Sequence, residues 1–177
     1  SFDLRFDKLY LQNFRCYDEL ELDFDKNMTV IVGENGKGKT AILDALAISL
    51  EPYLRAFGCK GRNMSERDVR RIKDAGDEEK LRVLRMKSKY PVSIKVEGAH
   101  EGVSFTWSRE LKNERGRTTS NNAKELADYG KALYDGINGA EDEKIVLPVF
   151  AYYGTSRMWN DSKLLGKGKK IDLPRSV

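Results

Sequence analysis

Residues 28–50 read MTVIVGENGKGKTAILDALAISL, and this stretch decides the fold. Met28, Thr29, Val30, Ile31 and Val32 are a continuous β-prone run, which predicts an interior, parallel strand buried on both faces. Between Thr40 and Leu50 the residues Ala41, Ile42, Leu43, Ala45, Leu46, Ala47, Ile48 and Leu50 are apolar almost all round, which predicts a helix buried between layers and ended by Pro52. Joining the two, Gly33-Glu34-Asn35-Gly36-Lys37-Gly38-Lys39-Thr40 fits G-x-x-x-x-G-K-[ST]. Glycines let the backbone fold back so that several N–H groups face one concavity, and the helix N-terminus adds the positive end of its dipole. The result is a polyphosphate cradle. Lys39 is placed to reach the β- and γ-phosphates as a point charge, and the Thr40 hydroxyl to ligate Mg2+.

Upstream, Leu9 and Leu11 alternate with polar neighbours, as do Leu20, Leu22 and Phe24, which predicts an antiparallel pair ahead of the loop. Downstream, residues 55–90 hold twelve basic residues against six acidic ones, more than the whole surplus of a chain with net charge +4. Ser65-Glu66-Arg67-Asp68 resembles a helix start, and Leu81, Val83 and Leu84 a second short helical piece. Val92 to Val96 and Val103 to Trp107 alternate about Gly98-Ala99-His100-Glu101-Gly102, which predicts a hairpin over 90–109 with His100 in its turn. Leu126, Tyr129, Leu133 and Tyr134 predict a helix over 122–135, and Ile145 to Tyr153 a last strand. The fold class is therefore α/β.

The composition excludes several classes. In 177 residues no run approaches the roughly 20 apolar residues of a membrane span, so no membrane partner is expected and the chain reads as cytoplasmic. Cys16 and Cys59 suggest neither a disulfide framework nor a zinc site. The basic segment reads either as a DNA-facing surface, with Arg62, Arg70 and Arg71 as phosphate contacts, or as an ordinary solvated face.

The variant of the loop, G-x-N-G-x-G-K-[ST], follows a strand ending in Leu11-Gln12-Asn13-Phe14-Arg15-Cys16-Tyr17. Together these resemble the head domains of the RecF/SMC/OLD group of ABC-type ATPases. The resemblance implies a P-loop NTPase, ABC-type head lobe with an N-terminal antiparallel β element, a buried P-loop helix and an added β-hairpin. It also implies ATP and Mg2+ as cofactors and closure against a second head in a homodimer. By the same carry-over, Asn13, Phe14, Arg15 and Cys16 lie near the adenine and phosphates, with a core position the open alternative for Phe14. Leu147 to Arg157 looks like a strand and turn of the OLD-like branch, several members of which serve phage defence.

Departures from the family pattern matter as well. The sequence has no Walker B strand running into Asp-Glu and no signature helix, so hydrolysis is expected to require a C-terminal lobe that the chain lacks. Residues 1–159 are then the lobe and 160–177 a connector. The family's inter-lobe glutamine has no counterpart, since Gln12 is the only glutamine, and Tyr153, Ser156 or Arg157 stand at that turn. The favoured expectation is an ATPase part working in DNA maintenance or phage defence, with DNA or an effector protein as partner. The alternative is an interaction module in which ATP binding switches assembly without turnover. A small-molecule kinase fits less well, because two antiparallel strands precede the loop.

Overall fold

A computed structural model describes residues 4–24, 36–56, 60–74, 85–100 and 103–139. The expected strand at 28–32, the helical piece at 81–84 and everything from Ile145 onward, including Tyr153, Ser156, Arg157 and the proposed connector, lie outside these residues.

Strands β1 (Leu4–Phe14) and β2 (Tyr17–Asp23) form the expected antiparallel pair. Strands β5 (Val92–His100) and β6 (Val103–Leu111) form the expected hairpin. The two pairs join through β1 and β5 into one antiparallel sheet of order β2-β1-β5-β6. His100, expected in the turn, is instead the last residue of β5, paired with Val103. β1 is an inner strand, because pairing on both edges leaves its alternating Leu9 and Leu11 fully covered.

Register turns the alternation into layers. Leu22, Leu9, Val96 and Trp107 stand side by side across the four strands, and Leu20, Leu11, Ile94 and Arg109 form the next row. Their inner face receives helix α1 (Gly36–Ser49). Ala41 and Ala45 are completely buried, and their small side chains let the helix sit close, while Ile42, Leu46 and Ile48 fill the space around them. Burying each large side chain stabilises the fold by roughly 1.5–3 kcal/mol. Helix α1 ends at Ser49, ahead of Pro52 as expected, yet the proline does not stop helix from resuming. It falls at the start of a second helix, α2 (Glu51–Ala56), where a proline lacks only an N–H that would have no intrahelical partner.

Helix α3 (Lys124–Gly139) packs on α2. Gly130 lets the two approach, since a Cβ there would come within 3.0 Å of the Tyr53 carbonyl and ring. The Ser65–Asp68 signal yields one 3-10 turn, Glu66–Asp68, and no longer helix. A two-stranded ribbon follows, β3 (Arg71–Lys73) against β4 (Met86–Ser88). No helix among the described residues is long and apolar enough to cross a membrane.

The C-terminal end of α1 is held by side chains of the sheet. Trp107 Nε1 donates to the Ser49 carbonyl at 3.0 Å, satisfying an acceptor that a helix end cannot pair internally. Trp107→Phe should keep the fold and cost about 1–3 kcal/mol, the penalty of leaving a buried acceptor unmet. Urea unfolding followed by circular dichroism measures it; a loss near zero would mean that water replaces the indole.

Candidate nucleotide-binding site

Helix α1 begins at Gly36, so the described part of the cradle is its first turn. Gly33, Glu34 and Asn35 lie outside the described residues, and of Gly36 and Lys37 only the backbone is described. Lys39 and Thr40 are half-buried on the first turn, and Lys39 has no ion-pair partner among the described residues. A Cβ on Gly38 would lie 2.7 Å from the Tyr17 hydroxyl, so this glycine is where β2 closes against the helix start. Open N–H groups at a helix N-terminus, an unpaired ammonium and a hydroxyl suit a polyphosphate with a divalent cation.

The β1–β2 turn is the second wall. Asn13 and Arg15 both have φ of 51°, a left-handed conformation that costs a side-chain-bearing residue about 1–2 kcal/mol. Neighbours impose it. The Arg15 N–H donates to the Asp68 carbonyl at 2.8 Å, the Arg70 N–H to the Asn13 carbonyl at 2.9 Å, and Phe14 forms a bridge with Val69. Residues 68–70 thus run as a strap along the turn. Asn13 is buried and donates to the Pro91 carbonyl, and Phe14 is fully buried in the core, so both have structural work in this fold. Cys16 is exposed, with its carbonyl accepting from Arg70 at 2.7 Å.

Arg15 points to the helix. Its Nη1 lies 2.6 Å from Asp44 Oδ2, and its Nε and Nη2 donate to Asp68 Oδ1 at 3.0 and 2.8 Å. Arg62 makes the same pair of contacts, 3.1 Å to Asp44 Oδ2 and 3.1 Å to Asp68 Oδ1. Two guanidiniums and two buried carboxylates alternate in a closed, neutral ring. Asp44 stands one turn beyond Thr40 on the same face of α1, so the ring adjoins the first-turn residues. Burial pulls the Arg15 pKa down, but the hydrogen bonds and charges of Asp68 and Asp44 outweigh it and the net shift is upward.

Neither Asp44 nor Asp68 stood out in the sequence. The one available signal was a charge inside the apolar run of α1, which a buried helix tolerates only when the charge is paired. The three arginines that read either as phosphate contacts or as an ordinary solvated face each have a partner within the molecule. Arg62 belongs to the ring, Arg70 holds the Cys16 carbonyl, and Arg71 pairs with Glu66 at 3.0 Å.

A second buried cation lies at the far end of α1. Arg109 occupies an inward position of β6 where the alternation calls for a hydrophobe. It donates to the carbonyls of Ile48 at 2.9 Å, Thr119 at 3.1 Å and Arg62 at 3.3 Å, and to Asn63 Oδ1 at 2.6 Å. Glu51 lies 3.4 Å away. Burial dominates and lowers the Arg109 pKa to about 10, although Glu51 opposes the shift, so the group is charged at neutral pH. A cation at a helix C-terminus complements the dipole whose positive end faces the cradle.

A family model described as an AAA domain matches residues 8–172. The chain belongs to this AAA-domain family. It is 36% identical over 66 residues to the DNA replication and repair protein RecF of Oceanobacillus iheyensis, covering 37% of this chain and 16% of that protein. It is 29% identical over 126 residues to RecF of Lactococcus lactis subsp. cremoris, covering 71% and 30%. It is 42% identical over 55 residues to the structural maintenance of chromosomes protein 6A of Arabidopsis thaliana, covering 31% and 4%. The AAA-domain chain is thus an N-terminal RecF- and SMC-like ABC-type ATPase region with an α/β head-lobe fold, and it spans less than a third of each of these relatives.

In this AAA-domain chain Arg109→Met should lower stability by about 3–5 kcal/mol, because the carbonyls lose their donor and Glu51 keeps, among the described residues, only the exposed Arg55, 3.7 Å away. Denaturant unfolding tests this; a loss below about 1 kcal/mol would show that the buried guanidinium is replaceable by packing.

Proposed function

We propose that this chain binds ATP with Mg2+ over the N-terminal turn of α1 and is the nucleotide-binding part of an ATPase working in DNA maintenance. The observation that carries the reading is the placement of Gly38, Lys39 and Thr40. They open a helix buried against the sheet, with the β1–β2 turn docked beside them. The family membership and the likeness to RecF and SMC proteins support it. Bound Mg2+ would supply charge neutralisation between the phosphates. The chain's own residues do the rest: Lys39 pairs with the phosphates, Thr40 offers a ligand oxygen to the metal, and backbone N–H groups orient both. Hydrolysis is assigned to a site completed by a C-terminal lobe and a second head, which would bring the carboxylates that position water.

Isothermal titration with ATP tests the site. Lys39→Ala should weaken binding by about tenfold or more, because a charge-assisted interaction with the phosphates is removed. Thr40→Ala should leave Mg2+-free binding unchanged and remove most of the gain that Mg2+ gives. Equal binding by wild type and Lys39→Ala would sink the reading.

DNA is the proposed macromolecular partner, and the ribbon is its proposed docking element. Lys73, Arg85, Lys87 and Lys89 stand on β3, β4 and their flanks with no ion-pair partner among the described residues, in contrast to Arg62, Arg70 and Arg71. Unpaired cations are the ones able to release counterions from a phosphate backbone. Reversing these four residues to Glu should weaken duplex binding and flatten its salt dependence by roughly 0.9 in log–log slope for each phosphate that is no longer neutralised. An unchanged slope across a salt series would assign the ribbon to solvent.

A further inference from the structure

We propose that Asp44 is a positioning residue of the nucleotide site, holding Arg15 and Arg62 together one helical turn beyond Thr40 so that the Arg15 guanidinium is presented to the bound phosphates. This rests on the reading of α1 as the nucleotide-binding helix.

The location of the carboxylate argues for a role beyond stability. Asp44 is buried in a helix whose neighbouring residues Leu43 and Ala45 are apolar, and a buried ion pair contributes little that a well-packed hydrophobe would not. What a hydrophobe cannot do is aim two guanidiniums. Arg15 is fixed at both ends, its backbone N–H on the Asp68 carbonyl and its head between Asp44 and Asp68. Its Nε and Nη2 donate to Asp68 Oδ1, and its Nη1 stands 2.6 Å from Asp44 Oδ2 as an ion pair, so the guanidinium head is shared between the two carboxylates. Its side chain is 21% exposed, whereas those of Asp44 and Asp68 are 5% and 0% exposed. The acids are covered and the cation is open.

The test turns on sign. Removing the Asp44 charge makes the site more positive, so electrostatics alone would tighten binding of an anionic nucleotide. Loss of positioning does the opposite. In the intact protein, at a temperature where thermal melting shows both forms folded, Asp44→Asn should bind Mg2+-ATP about tenfold more weakly than wild type, and Asp44→Glu should recover part of the loss. Wild-type or tighter affinity in Asp44→Asn overturns the proposal. If Asp44→Asn does not fold, Arg15→Lys is the second variant: it keeps the charge, cannot span two carboxylates, and should lose the same affinity. Wild-type affinity there is equally fatal. Lys39→Ala runs in parallel. If wild type and Lys39→Ala bind alike, the nucleotide site itself is wrong and this role goes with it, whereas a weakened Lys39→Ala beside an unaffected Asp44→Asn rejects only the positioning.

Discussion

Two buried carboxylates, each facing the same two arginines, tie together the part of this structure that carries the candidate nucleotide site. Asp44 belongs to α1, Asp68 and Arg62 to the segment after α2, and Arg15 to the β1–β2 turn, so one neutral ring ties three stretches of chain. Neutrality is what makes it tolerable in a poorly solvated place, since any one member alone would carry a large desolvation cost. The ring also explains the backbone. Arg15 adopts a left-handed conformation because its N–H and its side chain are both committed to Asp68, and strain of this kind persists where the surroundings over-determine it.

Helix α1 is anchored at its opposite end by a different device. Trp107 and Arg109, neighbours on the inward face of β6, donate to the carbonyls of Ser49 and Ile48. The orphan acceptors of the C-terminus are met there, while the open donors of the N-terminus are the ones a phosphate can use. The buried cation at one end and the candidate anion site at the other follow the helix dipole in the same sense. Arg109 also takes the Arg62 carbonyl and the Asn63 side chain, so the anchor and the ring share a segment. The β5–β6 hairpin therefore supports the candidate site from the far end of α1.

The charge of the 55–90 segment is divided by the same logic. Arginines that reach a buried or backbone acceptor are spent inside the molecule, as Arg62 and Arg70 are. Lys73, Arg85, Lys87 and Lys89 on and beside the ribbon have no ion-pair partner among the described residues. A count of basic residues could not separate the two groups, because both lie in one run of sequence.

Local patterns were legible from the chain alone. The glycine-rich loop, the apolar helix after it, the alternation of β1, β2, β5 and β6 and the amphipathic helix α3 all express interactions within a few residues, where spacing is a sufficient guide. The candidate site was legible as far as Gly38, Lys39 and Thr40 for the same reason. What tertiary structure decided is the use of each charge. Arg15 meets Asp68 at a separation of 53 residues, and Arg109 meets the Ile48 carbonyl at 61. No periodicity reports a partner that distant. The inward arginine of β6, the inner position of β1 and the restart of helix at Pro52 likewise depend on which strands and helices pack together, because burial and pairing in three dimensions, and not the order of residues, set the cost of each buried charge.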